Sequence, residues 1–148
     1  MKAKKLGTQS IVYVVDRQRR RVAINKLTKF SQAALATCRA LRTPGQSSLK
    51  ALASISVVLV SDKPIAQLHR QFMGIAGPTD VITFEHGEIV ISVETAARQA
   101  RAFDSSLHRE LCLYIVHGLL HLHGHDDRTP RDAARMARTQ ERIVADLV

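Results

Sequence analysis

The stretch from Leu111 to Leu122 constrains this chain more than any other, because it is nearly all apolar and yet carries His117 and His121. A helix that is apolar on most sides belongs inside a fold. Two imidazoles buried there are costly unless they are paired or ligated. They stand one turn apart, so both face the same way and can reach one metal ion. Four of the seven histidines fall between His117 and His125, and Asp126 and Asp127 follow at once. Gly124 stops the helix and lets the chain turn back with a third ligand. His123, two residues beyond His121, points about 200° away around the helix. The third ligand therefore lies among His125, Asp126 and Asp127. Three protein ligands and an open position form the catalytic pattern, whereas four close a structural site.

The position after the first histidine separates chemistries. A glutamate there marks a zinc peptidase, whose general base it supplies. Gly118 takes that place, which disfavours a metalloprotease and lets a strand or a substrate approach the helix closely.

The 148 residues suit one domain spanning 1–148, with 45% hydrophobic and 24% charged residues. No apolar run reaches the roughly 20 residues of a membrane span, and no signal-peptide core follows the basic start. Cys38 and Cys112 form no CxxC pair, the pattern of a reduced, cytoplasmic protein. The formal charge of +9 is uneven: residues 1–50 hold 12 Lys or Arg against Asp16 alone, and the rest holds 10 against 12 acids. Such a basic half points to a nucleic-acid partner.

Periodicity predicts a strand at 11–15 and a helix at about 26–41 capped by Asn25, with Leu27, Phe30, Ala34, Cys38 and Leu41 on one face. A strand at 54–60 and a helix from Asp62 to about Met73 follow, the latter ended by Gly74. His86-Gly87 reads as a two-residue hairpin turn between 81–85 and 88–92. Helices at about 94–103, 107–123 and from Pro130 onward complete the chain. Asp104, Ser105 or Ser106 caps the second and Thr129 the third; Met136, Ile143 and Leu147 face inward. The class is α+β: a mixed sheet packed against helices, with the metal site at the end of a central helix.

The run from His117 to Asp127 resembles the H-G-x-L-H-L-x-G-Y-D-H signature of the YbeY family, bacterial rRNA maturation factors and metal-dependent endoribonucleases. Pro78-Thr79-Asp80-Val81-Ile82-Thr83-Phe84 is similar to its P-T-D-V-L-S-F segment, and Glu88-Ile89-Val90-Ile91 to its G-D-I-x-I strand. Met136, Glu141 and Ile143 resemble its final helix. Roughly residues 50 to 148 carry the likeness, and the first 50 fit in outline only.

The resemblance implies one Zn²⁺ per chain. It also implies action on single-stranded RNA, in trimming the 3′ end of 16S ribosomal RNA and in quality control of the small ribosomal subunit. Three departures stand out. Asp127 occupies the place of the family's third histidine, which makes the implied metal ligands His117, His121 and Asp127. His125, at the family's tyrosine, is the alternative third ligand. Met73 replaces an arginine thought to help bind or cleave RNA, and Arg70, one turn earlier, is the substitute if the helix persists to Met73. The turn at His86-Gly87 is shorter than the family's loop and narrows one wall of the cleft.

The expected reaction is hydrolysis of an RNA phosphodiester, with Arg70 or N-terminal cations on neighbouring phosphates and Asp126 as a candidate base. The alternative is a non-catalytic ribosome-associated factor with a structural metal.

Overall fold

The computed structural model describes residues 10–148; the basic start of the chain through residue 9 lies outside the described residues. Runs of β-branched residues form strands β1 (Ile11–Asp16), β2 (Ser54–Val60), β3 (Val81–Phe84) and β4 (Glu88–Ser92). The helices are α1 (Ile24–Arg39), α2 (Asp62–Met73), α3 (Val93–Ala102), α4 (Leu107–Leu122) and α5 (Pro130–Leu147). The sheet runs β1-β2-β4-β3. β1, β2 and β4 are parallel, and β3 returns antiparallel on β4. The fold is therefore α+β with a mixed sheet.

Strand alternation divides the core in two. Ile55, Val57, Leu59, Ile89 and Ile91 face the large cluster with α1, α4 and α5. Val58, Val60 and Val90 face the opposite layer, where Ile65 and Leu68 of α2 cover them with Ile82. α4 is the central helix: eleven of its sixteen residues are buried, including Leu111, Ile115, Leu119 and Leu120. Gly118 is what lets it lie on the sheet. A Cβ there would stand 2.8 Å from Cδ1 of Ile89, so the close approach is made by strand β4.

Local chemistry matches the caps in α4 and α5. The Ser106 hydroxyl accepts from the Arg109 N–H, and that of Thr129 from the Asp132 N–H. α1 departs from expectation at both ends. It starts at Ile24 after Ala23 with no side-chain cap, so Asn25 sits inside the first turn. Burial of Leu27, Phe30 and Ala34 fixes the helix position and outweighs the missing cap. It ends at Arg39, where the Leu41 N–H turns to the Cys38 carbonyl and leaves Leu41 only partly buried.

The hairpin is also longer than predicted. Phe84 pairs with Glu88, which leaves the three-residue turn Glu85-His86-Gly87. Gly87 adopts a left-handed φ of 101°, and its N–H donates to the Phe84 carbonyl. A three-residue loop closed by a left-handed glycine is a standard hairpin solution. It takes Glu85 out of the strand.

Candidate metal centre

α4 ends in a Schellman motif that sets the site. The Gly124 N–H donates to the His121 carbonyl and the His125 N–H to the Leu120 carbonyl. Gly124 takes φ 86°, and any Cβ on it would lie 2.7 Å from the Gln46 carbonyl oxygen. Glycine is thus required twice over. The reversed chain carries Asp127 back over the last turn of α4.

There, Nε2 of His117 and Nε2 of His121 stand 3.0 Å apart. The Asp127 carboxylate comes within 3.7 Å of the first and 3.8 Å of the second. Ligand atoms of the three residues all lie within 4.8 Å of one another. His117 and His121 are about one-quarter to one-third exposed, and Asp127 is more open.

These residues fit a divalent cation. The Nδ1–H of His117 donates to Oε1 of Gln140 at 2.7 Å, so its Nε2 carries the lone pair and points at His121. An imidazole oriented in this way by a neighbour is the usual arrangement of a metal-binding histidine. Burial and the neighbouring His117 ring push the His121 pKa down, against the pull of Asp127 and the His125 backbone. Its ring is neutral near pH 7, the form that binds metal.

The two remaining histidines of the run do other work. His123 is fully buried. Its Nε2 donates to the Leu41 carbonyl, and its Nδ1 accepts from the Ser47 hydroxyl. It fastens the α1–β2 loop to the end of α4, together with the bond from the Leu49 N–H to the Leu122 carbonyl. His125 stacks on His123 with ring centroids 5.9 Å apart. It lines a groove with Arg42, Pro44, Asp126 and Arg135, away from the pair His117 and His121. Asp127, not His125, meets that pair. Asp126 lines the same outer groove, and its carboxylate accepts from the backbone N–H of Arg128, so it does not join the group formed by His117, His121 and Asp127.

The cleft beside the two imidazoles has a volume of about 210 Å³ and is lined by Met73, Val81, Ile82, Thr83 and Glu85. α2 does persist to Met73, yet it is Met73 that reaches the cleft, while Arg70 is exposed and does not line it. Two residues escaped the sequence reading. Glu85 became visible only when the hairpin turn gained a residue; its carboxylate accepts from the Ser48 hydroxyl. Gln140 carried a signal: it falls between Met136 and Val144 at four-residue spacing, a polar side chain on the inward face of α5. Cys38 and Cys112 are free and buried, and desolvation pushes both thiols up to about 12.

Comparison with known proteins follows the same residues. Residues 14–148 match the family described as Endoribonuclease YbeY. The Endoribonuclease YbeY of Symbiobacterium thermophilum is 40% identical, over 74% of this chain and 80% of that one. That of an Anaeromyxobacter strain is 41% identical, over 71% of this chain and 62% of its own length. The Thermus thermophilus protein of the same name is 38% identical, over 62% and 74%. The solution structure of TM1509 from Thermotoga maritima superimposes with a TM-score of 0.60 at 25% identity, covering 91% of this chain and 89% of that one. A match that begins inside β1 and runs through the histidine helix to the last residue makes this chain a member of the YbeY endoribonuclease family.

Proposed function

We propose that this protein is a zinc-dependent endoribonuclease that cuts single-stranded RNA and acts in 3′-end maturation of 16S ribosomal RNA on the small ribosomal subunit, in the cytoplasm. The observation that carries this reading is the meeting of His117, His121 and Asp127 at the wall of a cleft that also holds Glu85.

Two imidazoles and a carboxylate suit zinc, and three protein ligands leave a position open. When bound, a divalent cation supplies Lewis acidity toward a phosphoryl oxygen and toward the attacking water. The chain's own groups do the rest. Gln140 holds the His117 ring in one tautomer. Glu85 takes the proton from water as the water oxygen attacks phosphorus, and the protonated carboxyl returns that proton to the departing ribose oxygen as the P–O bond breaks. The Ser48 hydroxyl orients the Glu85 carboxylate. None of the described residues lining the cleft is a cation, so the arginine that the family places at Met73 has no local substitute. The non-catalytic alternative is not favoured, since among the described residues no fourth ligand joins the three.

The test is cleavage of a single-stranded oligoribonucleotide by zinc-loaded protein. His117→Ala with His121→Ala abolishes cleavage. Glu85→Gln lowers kcat by about 10²- to 10⁴-fold while zinc content stays at one per chain. Undiminished cleavage by the double histidine variant contradicts the mechanism.

A further inference from the structure

α5 carries Arg131, Arg135, Arg138 and Arg142 at spacings of four, three and four residues. At 100° per residue all four fall within an arc of about 60°, opposite the buried Met136, Ile143 and Val144. All four are exposed. None enters an ion pair among the described residues: the nearby Glu141 is taken by Arg109, and Asp126 by Arg128. Asp132 and Asp146 flank the stripe without pairing to it. The stripe starts four residues after Asp127 and extends about 16 Å along the helix at ~1.5 Å per residue.

At its near end, Arg135 lines the outer groove of about 640 Å³ with Arg42 from the α1–β2 loop. The His125 ring lies in that groove with a buried Nε2 that has no partner among the described residues. Arginine binds phosphate with a planar, two-toothed fork. A row of unneutralised guanidiniums is complementary to a phosphodiester backbone.

We infer that the arginine face of α5, with Arg42 across the groove, is a track for the phosphates of single-stranded RNA leading away from the metal centre. The inference rests on the ribonuclease reading and adds a second surface to it. Four phosphate contacts imply a specific salt dependence, because each contact to a single strand contributes about −0.7 to the slope of log K against log salt.

The experiment measures fluorescence anisotropy of a labelled oligoribonucleotide of about 20 nucleotides on the full chain, over a salt series, for three proteins. They are the parent, the variant with Arg131, Arg135, Arg138 and Arg142 each changed to Gln, and the variant with Arg17, Arg19, Arg20 and Arg21 each changed to Gln. The α5 variant is expected to lose about 3 from the slope's magnitude and to bind roughly tenfold or more weakly. Changing the same four positions to Lys is expected to restore most of the slope and excludes misfolding as the cause. An unchanged slope in the α5 variant overturns the inference. So does loss of the slope only in the variant of residues 17–21, or a parent that binds polyglutamate and not RNA. Because the readout is binding, a parent that binds RNA through α5 but cuts none would sink the nuclease reading and leave the track standing.

Discussion

Gln140 of α5 holds His117 of α4: the imidazole Nδ1–H donates to the amide oxygen at 2.7 Å, and the opposite nitrogen faces His121. The contact crosses 23 residues of sequence and makes the orientation of this imidazole depend on the packing of the last helix. Partners of this kind set tautomer and ring angle, and losing them typically costs ten- to a hundredfold in metal affinity. Gln140→Leu is expected to weaken zinc binding by about that factor in a chelator competition, with the circular dichroism of the parent. An affinity equal to the parent's would leave Gln140 without a role at the site.

The contact of Gly118 with Ile89 yields a stability prediction. Gly118→Ala places a methyl group 2.8–2.9 Å from three carbons of Ile89. Overpacking of this kind costs about 1–3 kcal/mol. Adding Ile89→Ala makes room and is expected to recover part of the loss, so the two changes are coupled in a denaturation cycle. Strict additivity would mean that the helix and strand adjust independently.

His123 separates structure from chemistry within one motif. His123→Leu removes the donor to Leu41 and the acceptor for Ser47 in a fully buried place. The expected cost is about 1–3 kcal/mol in urea denaturation, with zinc stoichiometry unchanged. Loss of the metal at full stability would reverse the assignment of His121 and His123.

Asp62 predicts acid sensitivity. Its carboxylate accepts from Ser92, Thr95 and Arg98, tying the start of α2 to α3. The Arg98 guanidinium, with the two hydroxyls, holds its pKa at about 2 against an ordinary 3.8. A depressed folded value means stability that is present above pH 3.8 and lost as pH falls toward 2. Asp62→Asn is expected to flatten that part of the stability profile and to cost about 1–2 kcal/mol at neutral pH. A profile parallel to the parent's between pH 4 and 2 would contradict it.

Met73 is the clearest departure at the cleft. Met73→Arg supplies a cation at a wall that has none among the described residues. A single well-placed donor is worth up to 10²–10³ in rate. We expect kcat/KM on single-stranded RNA to rise roughly tenfold or more. A fall would show that the apolar wall itself is used.

Most of the fold was legible because its signals are local. The β-branched run at Ser54–Val60, the caps Ser106 and Thr129, and Gly124 all act where they stand. The boundaries of α1 were not, since burial of Leu27 and Phe30 decides them and depends on the partners they pack against. His117 and His121 were readable from spacing, and the reversal at Gly124 narrowed the third position to His125, Asp126 or Asp127. Only the family resemblance singled out Asp127. Glu85 and Gln140 were not readable: each reaches the site across a distance that only the tertiary fold closes. The arginine face of α5 was hidden for a different reason. The net charge of residues 51–148 sums it with acids that lie mostly on other elements or are paired to other arginines, so a near-neutral total conceals a stripe without ion pairs among the described residues.

The most direct test is the metal content of tag-free protein by mass spectrometry, with an X-ray absorption spectrum of the same sample. The account predicts one zinc per chain bound by two imidazole nitrogens and a carboxylate oxygen at about 2.0–2.2 Å, lost in His117→Ala and in Asp127→Ala. Protein that cleaves RNA with no stoichiometric divalent cation, or that keeps its zinc after both substitutions, would contradict it.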